Sequence, residues 1–213
     1  MVFPVDLILV PQGPEYNAVC RGLRSSASPP EVFAIPMGVK SVTNFLDHQQ
    51  FSGKRVLGMG LAGSLSPQHQ VGDVVIYHSC SYLPPQSPLV TKSCPPSNPQ
   101  LTFKPVKALT SDRLIYSARE KQELGKRYDV TVVDMEGIAI VNHFDSAAII
   151  RVISDDCHGN LPDLNSAINE GGKLESLKMA IAFLRQPLAA MRLITGSLQA
   201  LKVLEKVTTQ INF

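Results

Sequence analysis

The feature that most constrains this chain is a series of short, almost wholly apolar segments, each ended by Gly, Pro or Asp. They occupy residues 6–10, 32–36, 55–60, 73–80, 106–110, 131–135 and 147–153. Runs rich in Val, Ile and Leu with such ends read as buried strands. Between several of them apolar residues recur at helical spacing, in 15–23, 39–46, 115–124 and 136–141. Alternation of strand and helix builds a largely parallel sheet covered by helices. Strands that are apolar throughout suit a sheet buried on both faces. The expected fold class is α/β: a single three-layer domain, with a central mixed, mostly parallel sheet flanked by helices. At 213 residues the chain is long enough to bury one such core, and two domains would be cramped.

Composition removes several functional classes. With 20 basic and 18 acidic residues the net charge is +2, too small for nucleic acid to be the expected partner. Trp is absent and aromatics are few, which argues against a stacking platform for single strands. No apolar run approaches the roughly 18 residues of a membrane-spanning helix, so no membrane partner is expected. Residues 1–5 carry no basic stretch, and Asp6 interrupts the first apolar run. The N-terminus therefore reads as a strand and not a signal peptide, and a cytoplasmic location is expected. Cys20, Cys80, Cys94 and Cys157 form no CxxC pair and are expected to be free thiols, although Cys80 and Cys94 flank a loop and could be bridged. The five histidines (His48, His69, His78, His143 and His158) have no metal-ligand spacing. Neither a metal nor a cofactor is expected.

Two stretches stand apart. Residues 81–105 hold seven of the 16 prolines. Proline cannot donate to a ladder, so this stretch is expected to be an irregular loop: a mobile excursion, a lid or an interface arm. Residues 172–207 are expected to be helical. Leu174, Leu177, Ala180, Ile181 and Leu184 form one apolar stripe, Pro187 breaks it, and Leu193, Leu198, Leu201 and Leu204 read as core. The Lys and Arg residues in 119–127 read as a solvated helix face.

Acidic residues stand at three strand ends, where ligands of open α/β sheets bind. Val10-Pro11-Gln12-Gly13-Pro14-Glu15 puts Glu15 in the first turn of a helix. There it could also serve merely to compensate the helix dipole. Val133-Asp134-Met135-Glu136-Gly137 opens another helix, and Arg151-Val152-Ile153-Ser154-Asp155-Asp156 ends a strand. The third strand ends in Gly58-Met59-Gly60-Leu61-Ala62-Gly63-Ser64-Leu65. Its glycines would let a backbone approach a ligand closely.

Taken together and in order, Ala62–Leu65, Val71-Gly72-Asp73, Asp134–Gly137 and Arg151–Asp155 resemble the nucleoside phosphorylase/nucleosidase superfamily. The resemblance covers roughly residues 6–156. It implies cleavage of the N-glycosidic bond of a purine nucleoside of adenosine type, with or without a modification at the 5′ carbon. In that reading Met135 lies against the sugar and Glu136 accepts hydrogen bonds from the ribose hydroxyls. Asp155, oriented by Ser154, donates to the purine N7 as the bond breaks. Glu15 activates water, with Arg151 beside it. Gly60, Leu61, Ala62 and Gly63 form the ligand-facing turn, and Asp112, Leu114 and Ile115 belong to the segment that contacts the base. Family members oligomerise and often complete each pocket with a neighbour's loop. A homodimer or higher homo-oligomer is therefore expected, with 81–105 at the position of that loop.

The sequence also departs from the family. Phosphorylases hold phosphate with an arginine and a hydroxyl residue in the glycine-rich turn, where this chain has Gly58 and Leu61. That favours hydrolysis. Two alternatives stay open: phosphorolysis with phosphate as co-substrate, and a nucleoside-binding or storage protein without turnover. The stretch between Leu23 and Val32 is short, and a hairpin common in the family is missing.

Overall fold

The computed structural model describes residues 5–82, 84, 88–94, 103–169, 171–172 and 175–211. The chain lays down β1 (Leu7–Pro11), α1 (Pro14–Gly22), β2 (Glu31–Ile35), α2 (Val39–Asp47), β3 (Val56–Ser64) and β4 (Val74–Tyr82). Next come β5 (Val90–Ser93), β6 (Lys104–Thr110), α3 (Ala118–Tyr128), β7 (Val132–Asp134), α4 (Gly137–His143) and β8 (Ala147–Asp155). Two helices follow, α5 (Ser176–Arg185) and α6 (Pro187–Gln210).

The strands form one mixed sheet in the order β2-β1-β3-β7-β6-β4-β5, with β8 bonded to both β3 and β4. The pairs β1–β2, β1–β3, β3–β8, β4–β6 and β6–β7 are parallel, and β3–β7, β4–β5 and β4–β8 are antiparallel. Alternation along β1 sends Leu7 and Leu9 into one core and Ile8 and Val10 into the other. The first core is closed by α2 and α4, through Val42, Leu46, Ile138 and Ile140. The second is closed by α1 and α6, through Ala18, Val19, Ala200 and Leu204. This is the three-layer arrangement expected from the apolar runs.

Local chemistry explains the helix ends that frame the site. Gly13 takes a φ of 99° to turn the chain out of β1, and Pro14 then opens α1 with its φ already fixed. Ser117 accepts a hydrogen bond from the Glu120 amide and starts α3. The Asp134 carboxylate accepts the Gly137 amide at 3.0 Å and starts α4.

Three expectations are corrected. The 81–105 stretch is not wholly irregular: β4 continues to Tyr82, and β5 pairs with it antiparallel. Pro105 is tolerated within β6, opposite Ile76. Leu83, Pro85, Pro95, Pro96 and Pro99 of that stretch, and Leu174, lie outside the described residues. Secondly, the glycine-rich segment is not a turn. β3 runs straight through it to Ser64, in register with β8. Thirdly, the C-terminal stripes are not simply core. Pro187 does separate two helices, but Leu177, Leu184, Leu188 and Leu198 are exposed, while Leu204 is buried.

Candidate active site

A cavity of about 870 Å³ opens at the carboxyl ends of β1 and β3. That size suits a small organic ligand. Its wall includes Glu15, Leu61, Leu114 and Met135 from the sequence-derived set. Met37, Leu164 and Ile168 line it as well. The C-terminal helices add Met179, Phe183, Leu193, Ile194, Leu198 and Leu201. Among its described lining residues there is no Lys, Arg or His.

Glu15 reaches from the first turn of α1 to the β3 backbone, where Oε1 accepts the Leu61 amide at 2.7 Å. Burial pushes its carboxyl up to about 7, against the opposing pull of Arg151 and of the Leu61 amide. Behind the wall stands Arg151, fully buried on β8. Its Nε and Nη2 donate to Asp134 Oδ2 at 3.2 and 2.9 Å, and Nη2 lies 3.4 Å from Glu136 Oε2. Asp134 is itself fixed by the Thr110 hydroxyl at 2.7 Å. Glu136 also accepts the Gly38 amide, at 3.4 Å. Its carboxyl is pushed well above the usual carboxylate range, first by burial and then by Asp134 and Glu15, with Arg151 opposing. The Tyr77 hydroxyl is buried beside the Arg151 guanidinium. The structure thus gathers Glu15, Asp134, Glu136 and Arg151 into one network.

Asp155 belongs to a second group. A bulge in β8 opposite Ala62 and Gly63 brings Asp155 beside Gly63. Ser154 Oγ donates to Asp155 Oδ1 at 2.8 Å. Asp155 Oδ2 is bound by Lys121 Nζ, which also donates to the Asp156 carbonyl at 3.0 Å. The two groups bracket β3: Arg151 packs against Gly60 and Asp155 against Gly63. Gly60 and Gly63 are three positions apart, roughly 10 Å at the rise of a strand. Glu15 is anchored between, at Leu61.

The glycines have a different task from the one expected. A Cβ on Gly60 would stand 2.3 Å from Arg151 Nη1, and one on Gly63 2.8 Å from Asp155 Oδ2. They make room for two charged side chains of β8. Gly58 lies deep in the sheet, between Leu9 and Ile149. The Leu61 amide is taken by Glu15.

Glu136, Ser154, Asp155, Ala62, Asp112 and Ile115 are not among the described residues of the cavity wall. Ala62 is core, and Ile115 is buried in a separate cluster beneath α3. Asp112 is exposed and accepts the Tyr82 hydroxyl at 2.6 Å. The Leu114 backbone is held in both directions by the Asn165 side chain, at 2.8 and 3.1 Å, so only its side chain faces the cavity. His158 is exposed, and its amide caps Asp156.

Two residues of these groups are not expected from the sequence. Asp134 is one, the partner of Arg151. Lys121 is the other: it is fully buried and not part of a solvated face. Its signal was present: Lys121, Leu124 and Tyr128 lie three and four residues apart, on the inward stripe of α3. Among the described residues no group of His, Cys, Asp and Glu could hold a metal ion.

The mixed sheet closed by helices on both faces is a fold that solved nucleosidases share. No family model and no curated protein matches the sequence. Solved structures do. The 5′-methylthioadenosine/S-adenosylhomocysteine nucleosidase of Helicobacter pylori superposes with a TM-score of 0.67 at 14% identity, over 96% of each chain. It was solved with a pyrrolopyrimidine joined to a propynylthiomethyl-pyrrolidinol. The futalosine hydrolase of the same organism gives 0.63 at 15% identity, over 94% of this chain and 93% of its own. The Campylobacter jejuni 5′-methylthioadenosine/S-adenosylhomocysteine nucleosidase gives 0.57 at 13% identity, over 95% and 99%. At such identities the likeness establishes the fold.

Proposed function

We propose that this protein is an enzyme that hydrolyses the N-glycosidic bond of a purine nucleoside, of adenosine type with an apolar group on the 5′ carbon. The observation that carries this reading is Glu15. Its carboxyl stands in the cavity wall, anchored on the Leu61 amide and raised to about 7. A base poised near neutrality can take a proton from water without itself being trapped as the acid.

The other residues then have defined tasks. Glu136, held by Arg151, accepts hydrogen bonds from the ribose hydroxyls, and Met135 packs on the sugar. Leu114 covers the base. Water attacks C1′ and gives its proton to Glu15. The C1′–N bond breaks, and its electron pair leaves with the purine. Asp155, oriented by Ser154, delivers a proton to N7, where negative charge would otherwise build up. Hydrolysis is favoured over phosphorolysis because the described cavity wall carries no cationic side chain and phosphate requires dense donors. The apolar wall from α5 and α6 supports the 5′ substituent. Nucleosidases with the same fold act on 5′-methylthioadenosine, as their names state.

The protein is further proposed to act as a homo-oligomer. Leu184 and Leu188, at the junction of α5 and α6, are each 83% exposed, and Leu177 is 75% exposed. Exposed apolar residues of this kind support an interface between copies. All four cysteines are free, which fits a reducing compartment such as the cytoplasm.

Product analysis tests the reading, with several nucleosides and with or without phosphate. Free purine and ribose in both cases support hydrolysis. Release only with phosphate, together with ribose 1-phosphate, means phosphorolysis. Binding without release means that the site stores nucleoside.

A further inference from the structure

Asp155 does not stand alone as an acid. Both of its oxygens are engaged, Oδ1 by the Ser154 hydroxyl and Oδ2 by the Lys121 ammonium. Lys121 is fully buried, the only buried residue of α3, and its Nζ meets no solvent. The neighbouring Gln122 donates to the Cys157 carbonyl at 2.9 Å, so two successive residues of α3 clamp the chain just after β8. The charged and titratable groups around the pair are few. Asp156 is directed away, bound by the His158 and Gly159 amides and by Arg192 of α6. The Cys157 thiol is pushed up by burial, with Lys121 opposing. Gly63 of β3 and Val133 of β7 supply no charge. An ammonium is stable in the interior only where a carboxylate faces it.

We infer that Lys121 and Asp155 form one proton-holding pair, in which Lys121 is the positioning residue that supplies, through Asp155, the proton taken by the departing purine. This rests on the hydrolytic reading above. The step balances. The C1′–N bond breaks and its electron pair goes to the base. Lys121 Nζ gives a proton to Asp155 Oδ2, which passes it to N7, leaving a neutral amine beside a carboxylate. The pair goes from neutral to singly negative, and solvent returns the proton after product leaves. The water proton held by Glu15 is released in the same way.

The test compares two leaving groups in the wild type, in Lys121→Met and in Lys121→Arg. A purine needs a proton as it departs, whereas 4-nitrophenolate from a 4-nitrophenyl riboside does not. Met removes the proton, and Arg keeps the charge but holds its proton too tightly to give it. In both variants kcat on the purine nucleoside is expected to fall about 10²-fold or more, and on the nitrophenyl riboside less than about tenfold. The alkaline limb of kcat on the purine should also move to lower pH. Activity on the riboside shows that a variant has folded. If Met is not accommodated, Arg alone carries the test. An unchanged leaving-group ratio and alkaline limb, or restoration of both by Arg, would overturn the inference. A wild type that cleaves no nucleoside overturns the hydrolytic reading, and this inference with it.

Discussion

The guanidinium of Arg151 fills the space that a side chain at position 60 would occupy: a Cβ on Gly60 would lie 2.3 Å from Nη1. Residues 91 positions apart in sequence are thus fitted to each other across the β3–β8 ladder, where Gly60 and Arg151 are direct partners. Gly60→Ala should displace Arg151 from Asp134 and Glu136. We expect a loss of about 1–3 kcal/mol, from overpacking a filled interior. A Tm lowered by several degrees and a large fall in kcat/KM would bear this out. A variant with wild-type activity and Tm would mean that Arg151 can stand elsewhere.

Asp155→Asn should reduce turnover far more than binding. An acid that acts as the bond breaks is not needed equally in the ground state. The expected fall in kcat on a purine nucleoside is about 10²–10⁴-fold. The Kd of a non-hydrolysable nucleoside analogue, measured by calorimetry, should stay within a few-fold. An unchanged kcat would exclude Asp155 as the acid.

Glu15 should impose opposite demands on activity and stability. Folding raises its carboxyl from 4.5 to about 7, so the folded chain binds this proton more tightly than the unfolded one. Ionising it therefore costs stability: the cost is absent below about pH 4.5, grows as pH rises, and is complete above about 7. Glu15→Gln keeps an acceptor for the Leu61 amide and removes that cost. It should be more stable than the wild type above about pH 7, by on the order of 1–3 kcal/mol, with no gain near pH 4. It should also be inactive, while wild-type kcat/KM rises with pH through about 7. Denaturant titrations at the two pH values, beside the rate profile, check both halves.

The apolar wall built by Phe183, Leu198 and Leu201 should grade substrates by their 5′ group. In a series of 5′-alkylthio adenosines each added methylene that finds room should lower KM about fourfold, from roughly 0.8 kcal/mol per buried CH₂. Phe183→Ala should flatten that trend and leave a 5′-hydroxyl nucleoside little affected. Equal KM values along the series would place the 5′ group in solvent.

Self-association should run through the exposed residues at the junction of α5 and α6. The wild type is expected to sediment as a dimer or larger species. Leu184→Lys combined with Leu188→Lys should yield the monomer, since neither residue contributes to the core. A monomeric wild type would refute the assembly.

Much of this molecule could be read locally. Strands announce themselves by short apolar runs, because a sheet buried on both faces needs no polar alternation. The positions of Glu15, Met135 and Glu136 at the mouths of helices follow from the turn and proline signals just before them. What those residues touch could not be read. Gly60 and Gly63 looked like a ligand-facing turn, because local sequence does not reveal which partner strand lies alongside. Only the parallel register of β3 on β8 shows that they make room for Arg151 and Asp155. Lys121 looked solvated because lysine usually is. Its burial depends on the Asp155 carboxylate, 34 residues further on, and an ammonium can leave water only where such a partner waits. The helices after residue 172 were legible as amphipathic, but whether an apolar stripe meets core, cavity or solvent is decided by which elements pack against it. The sequence by itself determined the elements and the chemistry they carry. Tertiary structure decided which side chains meet, because burial and pairing depend on neighbours remote along the chain.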